Sequence, residues 1–303
     1  MLSKLLVVGG DSLIGSGLVK YFRKQGVIVH YTSRRPNHGS PDCIPLELGK
    51  ALAVPNTPDV AILCAGVTDF RTCAEQPDAT WRINVDAVLE LAAALHLRGS
   101  RILYLSSNAV CEIEHQDIQS ASLPTITTEY GAQKFAAERG ILALGDGATV
   151  LRATKVISCK SSLISGWLIR LRNYQEITPL LDFYFCPISL RAMVLAIAKL
   201  AYAGASGLFN LSGAAPLTYS DFAYQLAATM NVNKSLVAPK NELDSNIPSY
   251  YPRTLACLDM TAMTAASGVL PQSVGSVIDD LLAELLIDQS PASRPTSTFC
   301  ETE

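Results

Sequence analysis

The sequence predicts an α/β fold: a doubly wound parallel sheet with a smaller, partly discontinuous C-terminal lobe. Three observations lead there. Apolar runs of strand length alternate with segments of helical period through the first half of the chain, and a glycine-rich turn follows the first run at once. The 303 residues are 49% hydrophobic but only 17% charged. Alternation of this kind implies βαβ units whose parallel strands are covered by helices on both faces. The low charge, against roughly 25% in an average soluble domain, implies extensive burial and excludes disorder of the whole chain.

Leu5 to Val8 reads as a buried strand, and Ile14 to Lys24 as a helix with Ile14, Leu18, Tyr21 and Phe22 along one face. Val27 to Tyr31 and Val60 to Cys64 are the next clear strands. Val85, Val88, Leu89, Ala92 and Leu95 recur at helical spacing. Arg101 to Ser106 returns to strand, Tyr130 to Leu144 to helix, and Thr149 to Arg152 to strand. Beyond residue 155 the pattern predicts helices at Ser162 to Arg172, Leu190 to Tyr202, Tyr219 to Met230 and Ser273 to Leu286, with a short strand at Leu208 to Leu211. The expected division is 1–155 as a nucleotide-binding body, to which 187–211 returns, 156–288 as a substrate lobe, and 289–303 as a polar, disordered tail.

Twenty-four basic residues against 27 acidic ones give a net charge of −3. With no basic run, nucleic acid is excluded as a partner, because its footprint is clustered positive charge. The eight cysteines form no CxxC and no zinc spacing with histidine. They are expected to be reduced, mostly buried thiols of a cytoplasmic protein, with no metal bound. The first apolar strand runs into a glycine turn where a secretion signal would need a longer apolar region. The one long uncharged stretch, Ala203 to Ser220, is broken by Gly204, Gly207, Gly213 and Pro216, so no membrane span is expected.

The turn Gly9-Gly10-Asp11-Ser12-Leu13-Ile14-Gly15 lies between the first strand and the first helix. That is the setting of a dinucleotide fingerprint, in which glycines let the backbone approach a pyrophosphate held at a helix N-terminus. Gly9, Asp11, Ser12, Leu13, Ile14 and Gly15 are therefore candidate cofactor contacts in a Rossmann-like fold. Ser12 stands where a middle glycine is usual, so it must hydrogen-bond the phosphates or push the cofactor outward. The second strand ends in Thr32, Ser33, Arg34 and Arg35, with no acidic residue between Asp11 and Asp42. Guanidinium groups there suit a 2′-phosphate, which favours NADP over NAD.

The strand ending in Ser106-Ser107-Asn108 is followed by Tyr130 and, one helical turn on, Lys134. A neighbouring ammonium favours phenolate and lowers a tyrosine pKa, which would make Tyr130 a general acid or base toward an alcohol or ketone oxygen. Ser107 would supply a second hydrogen bond to that oxygen.

Taken together, these residues resemble the extended short-chain dehydrogenase/reductase superfamily, and within it the dTDP-4-dehydrorhamnose reductase-like, sugar-nucleotide-binding group. The likeness covers residues 2–288. It rests on the Gly9 to Gly15 turn, on Glu47-Leu48 at an adenine position, on Cys64-Ala65-Gly66 after a strand, and on Asn84. Ser106-Ser107-Asn108 stands where the reductases have Ser-Thr-Asp, and Tyr130, Gly131, Lys134 and Glu138 match Tyr-Gly-x-x-Lys-x-x-x-Glu. Leu151-Arg152 and Thr154 match the strand leading to the nicotinamide, Pro187 the start of the returning segment, Leu208 to Leu211 the late strand, and Leu258-Asp259 the C-terminal motif.

The resemblance implies catalytic Ser107, Tyr130 and Lys134. It implies cofactor contacts at Ser33, Arg34, Arg35, Glu47, Leu48, Cys64, Ala65, Gly66, Asn84, Ser106, Lys134 and Thr154. Substrate contacts fall on Asn108, Lys155, Arg191 and Arg253, with Arg170 a further cation for substrate phosphates. Lys155 replaces a tryptophan of the rhamnose-pathway reductases, and the segment before Tyr130 lacks their Asp-Gly and Pro-Tyr. The implied activity is hydride transfer between NADP and a carbonyl or alcohol carbon of a nucleotide sugar or similar small molecule. An epimerase, a dehydratase and a non-catalytic NADP-binding regulatory protein are the alternatives, and the resemblance permits a homodimer.

Overall fold

The computed structural model describes residues 2–35, 40–50, 57–111, 126–241 and 257–288. Seven parallel strands form the central sheet: β1 (Lys4–Val8), β2 (Ile28–Ser33), β3 (Cys43–Pro45), β4 (Val60–Leu63), β5 (Arg101–Ser107), β6 (Ala148–Ala153) and β10 (Gly207–Leu211). Their order is β10-β6-β5-β4-β1-β2-β3. The order reverses between β1 and β4, and the crevice beyond the carboxyl ends at such a switch point is where nucleotides bind in open α/β sheets.

Strand residues alternate between two apolar layers. Leu5, Val7, Ile62, Leu103, Leu105 and Leu151 face α1 (Leu13–Lys24) and α7 (Leu190–Ala203), meeting Leu18, Phe22, Met193 and Ile197. Leu6, Val8, Leu63, Ile102, Tyr104 and Val150 face α4 (Ala87–Leu97) and α5 (Glu129–Leu142), meeting Val88, Ala92, Ala137 and Ile141. Burial on both faces is why these strands read as continuous apolar runs.

Between β4 and α4 run α2 (Phe70–Glu75), α3 (Pro77–Trp81) and a π-helical stretch at Arg82–Asp86. Beyond β6 come β7 (Lys155–Ile157), α6 (Ser162–Arg172), β8 (Tyr184–Phe185) and β9 (Pro187–Ser189). After β10 follow β11 (Leu217–Thr218), α8 (Tyr219–Thr229), α9 (Thr261–Ser267) and α10 (Val274–Asp288). A separate core of Trp167, Leu168, Phe185, Tyr219, Phe222, Leu226, Val277 and Leu281 holds the lobe together, with Phe185 stacked on Tyr219 at 4.2 Å. Among the described residues no helix is long and apolar enough to cross a membrane.

The main elements agree with the periodicity to within two residues at each end. The elements that periodicity misses are short: β3, α2, α3, β7, β8, β9, β11 and α9 each have seven residues or fewer. One expectation is corrected outright. Cys186 and Cys257 are joined in a disulfide, with Cα atoms 5.3 Å apart across 71 residues of sequence. No local spacing marks such a pair; only the fold brings it together. Cys300 and the expected tail at 289–303 lie outside the described residues.

Candidate active site

The turn after β1 is packed too closely for side chains. A Cβ on Gly15 would lie 2.2 Å from Gly9 O, and one on Gly10 would lie 2.5 Å from Cβ of Tyr31. Gly9 has a φ of 86°, and its Cβ would meet Ala65 N at 2.9 Å, so this turn and the Cys64–Gly66 loop after β4 share one wall. The Gly9 N–H donates to Thr32 Oγ1 at 2.9 Å, fastening the turn to β2.

Ser12 has a structural part in the turn. It caps α1, its Oγ accepting the Gly15 N–H at 3.0 Å. The N–H groups of Leu13 and Ile14, in the first turn of α1, have no intrahelical acceptor, a setting that favours an anion.

At the end of β2, Ser33 is buried and Arg34 and Arg35 are exposed. Ser33 Oγ donates to Asp11 at 3.0 Å, and Arg35 Nε lies 3.8 Å from the same carboxylate oxygen. Glu47 is exposed and paired with Lys50 at 2.6 Å. Leu48 lines a cavity of about 250 Å³ with Leu46, Ala87 and Leu91.

Tyr130 and Ser107 come together because helix and strand end are in direct contact. Thr128 caps α5 by accepting the Gly131 N–H at 3.1 Å. A Cβ on Gly131 would sit 2.3 Å from Ala109 O, so glycine lets the first turn of α5 lie flush against the turn that follows Ser107. The Ser107 Oγ accepts the Ala109 N–H at 3.1 Å, and its hydroxyl lies near enough to the Tyr130 phenol to act on its pKa. Tyr130 is 7% exposed and packs edge-on to Phe70, ring centroids 5.0 Å apart.

Burial pushes the Tyr130 phenol above the ordinary tyrosine range, Cys73 adds to this, and the nearby Ser107 hydroxyl opposes it. The expected lowering by Lys134 is therefore corrected: lost hydration of the phenolate dominates. Lys134 is itself lowered to about 8 by burial, against the opposing charge of Glu138. Its Nζ donates to Leu105 O at 2.9 Å and lies 4.6 Å from the Tyr104 ring centroid and 5.8 Å from that of Tyr130. Desolvation raises the Cys64 thiol to about 12.

Behind the site Arg152 and Glu138 form a buried ion pair with Nη2 2.6 Å from Oε2 and Nε 3.0 Å from Oε1. Asn84 is held on both sides of its amide. It accepts the Val67 N–H at 2.7 Å, and its Nδ2 donates to Val67 O at 2.8 Å and to Gln133 Oε1 at 2.7 Å. Its side chain therefore shapes the loop after Gly66.

Asn108 is buried in the turn after β5, and Lys155 lies at the start of β7, its ammonium lowered by desolvation. Arg191 is paired with Asp280 of α10 at 3.0 Å, and Arg170 donates to Glu176 O at 2.7 Å. Neither guanidinium is brought to Tyr130 by these contacts. Arg253 lies outside the described residues. Sequence reasoning missed Phe70 and Cys73, which pack against the tyrosine, and the hydrogen bond from Gln133 to Thr80. Gln133 sat in view between Tyr130 and Lys134, but its four-way hydrogen bonding needs three elements to meet.

The site accommodates a dinucleotide. Besides the glycine cradle, the Ser106 and Thr154 hydroxyls, at the carboxyl ends of neighbouring strands, are buried with no hydrogen-bond partner among the described residues, a condition a ligand's amide or hydroxyl relieves.

Known proteins bear the same stamp. The chain is 28% identical to methionine adenosyltransferase 2 subunit beta of Xenopus laevis over 152 residues, 49% of this chain and 46% of that protein. It thus spans about half the length of this curated relative. It is 23% identical to the dTDP-4-keto-6-deoxy-D-glucose reductase of Streptomyces niveus over 245 residues, 79% of this chain and 83% of that one. The crystal structure of dTDP-4-dehydrorhamnose reductase from Bacillus anthracis in complex with NADP superposes with a TM-score of 0.80 at 17% identity, covering 94% of this chain and all of the other. The pattern that defines the RmlD substrate binding domain matches residues 3–287, and so the chain belongs to that family, within the extended short-chain dehydrogenases/reductases.

Proposed function

We propose that this protein is an NADP-dependent reductase of a ketone carbon in a nucleotide sugar. The observation that carries this reading is the convergence of Ser107 and Tyr130 where α5 packs on the turn after β5, with Lys134 Nζ 5.8 Å from the Tyr130 ring. The family and the Streptomyces reductase support the substrate class.

When bound, the nicotinamide supplies the hydride. The chain's own residues do the rest. Tyr130, kept protonated by burial, donates its phenolic proton to the carbonyl oxygen as charge develops there. Ser107 holds that oxygen with a second hydrogen bond. Lys134 holds the nicotinamide ribose, and its positive charge favours the phenolate that remains. Ser106, Thr154 and the Cys64–Gly66 loop line the nicotinamide side, the Gly9–Gly15 turn and the start of α1 hold the pyrophosphate, and Ser33, Arg34 and Arg35 meet the 2′-phosphate. Glu47 and Leu48 border the adenine, and Asn108 and Lys155 meet the substrate.

We place the cofactor in a body formed by 1–155 and 187–211, and the substrate against 156–288. The cytoplasm is the proposed compartment; the free thiols Cys43, Cys64, Cys73, Cys111 and Cys159 among the described residues support it, and the Cys186–Cys257 disulfide counts against it.

The test is a screen of 4-keto nucleotide sugars with NADPH consumption as readout, comparing the wild type with Tyr130→Phe. Turnover by the wild type alone, at equal NADPH affinity, supports the reading. An equally active variant refutes the mechanism, and NADPH binding without turnover of any ketone favours a regulatory subunit.

A further inference from the structure

Cofactor choice in this fold is read from an acidic residue at the end of the second strand, which accepts the ribose 2′-hydroxyl of NAD. Here that strand ends without one, yet a carboxylate occupies the place. Asp11 reaches it from the glycine turn. Its Oδ2 accepts the Ser33 hydroxyl at 3.0 Å, and Ser33, 2% exposed and at the last position of β2, anchors it there. Arg35 is tied to the same point: its N–H donates to Ser33 Oγ at 3.0 Å, and its Nε stands 3.8 Å from Asp11 Oδ2.

We infer that Asp11 is a selectivity residue that makes the site accept NADH as well as NADPH, an inference that rests on the cofactor reading above. Three features carry it. The Asp11 carboxylate is 28% exposed, and Oδ1 takes no hydrogen bond from any described residue, so it is open to a ribose hydroxyl. Its negative charge lies where a 2′-phosphate would bring two more, and like charges at such a distance repel. The guanidinium that would reward the phosphate is shared: Arg35, 75% exposed, must leave Asp11 or bind both anions at once. NADP thus gains Arg34 and Arg35 and loses to Asp11, whereas NAD gains an acceptor and forgoes the arginines. The two opposing effects compress the preference for NADPH.

The experiment is fluorescence titration of the full chain with NADPH and with NADH, for the wild type, Asp11→Asn, Asp11→Ala and Arg35→Ala. The wild type is expected to bind both, with NADPH favoured by less than about tenfold. Asp11→Asn keeps an acceptor for Ser33 but removes the charge. It should widen the preference by about a further tenfold, the effect of one unit charge a few ångströms away at a partly exposed site. Asp11→Ala should move the ratio the same way, and Arg35→Ala should move it the other way by weakening NADPH alone. If the wild type binds both nucleotides and the two Asp11 variants leave the ratio unchanged or shift it toward NADH, this inference is overturned while the cofactor reading stands. If the wild type binds neither, both fall together.

Discussion

Asn84 Nδ2 donates to Gln133 Oε1 at 2.7 Å, and through that bond the π-helical stretch before α4 is fixed to the first turn of α5, one residue from Lys134 and three from Tyr130. Gln133 is fully buried, and its Nε2 donates to Thr80 Oγ1 at 2.8 Å and to Glu129 Oε1 at 3.1 Å. The wider turn of a π-helix, a distortion common at functional sites, sets Asn84 between Val67 and this glutamine.

Replacing Gln133 by Leu should therefore leave Asn84 and Thr80 short of partners and cost about 1–3 kcal/mol of stability. The same change should lower kcat more than it weakens NADPH binding, since it loosens the attachment of α5, which carries Tyr130 and Lys134, to the π-helical stretch. Urea unfolding combined with steady-state kinetics checks both. A double-mutant cycle with Asn84→Ala should return a coupling energy of about 0.5 kcal/mol or more.

Lys134 gives a pH signature. Its pKa is lowered to about 8 in the folded chain from an ordinary 10.5, so between these values the unfolded chain holds the extra proton and stability rises with pH. Below pH 8 the buried ammonium costs about 3 kcal/mol relative to water. Lys134→Met should unfold at higher denaturant than the wild type at pH 7, and the gap should close as the pH approaches 10. Turnover should fall above pH 8, as the charge beside Tyr130 is lost. A gap that is constant from pH 7 to 10 would contradict the shift.

The pair Glu138 and Arg152 is 1% and 4% exposed, so neither charge tolerates the loss of the other. Glu138→Gln should cost about 3–5 kcal/mol, because it strands a guanidinium in the interior. Joint replacement by Glu138→Leu and Arg152→Met should recover most of that loss. Chemical denaturation of the three variants decides the matter.

The Cys186–Cys257 disulfide closes a long loop, and restricting the unfolded chain in this way is worth about 4 kcal/mol at this separation. Dithiothreitol should lower the unfolding midpoint of the wild type accordingly and leave that of Cys186→Ser unchanged. Equal midpoints for the wild type with and without reductant would show that the bond contributes nothing.

Much of the sheet was legible because Leu5 to Val8, Val60 to Leu63 and Ile102 to Leu105 are apolar on both faces, and the helices between them keep one buried stripe. The glycine turn and the Ser107, Tyr130 and Lys134 set were legible because their spacing is local or carried by a single strand and helix. What escaped were relations made only in three dimensions. Asp11 reaches Ser33 across 22 residues, Asn84 meets Gln133 across 49, and Cys186 meets Cys257 across 71. The pKa of Tyr130 escaped for a related reason: its sign depends on how much water the phenol loses, and helical spacing to Lys134 carries no information about that.

The seventh strand has a bearing on how this molecule can be cut. β10 is contributed by chain that has already passed through the lobe, and it lies against β6 from Gly207↔Thr149 to Leu211↔Ala153. A fragment ending at residue 155 would keep the glycine turn and every catalytic group yet leave the full length of β6 as an unprotected border, with Leu151 stripped of the cover that α7 gives it. Such a border recruits other chains. The nucleotide-binding half is thus not an autonomous module, and aggregation is the fate expected of it when expressed alone.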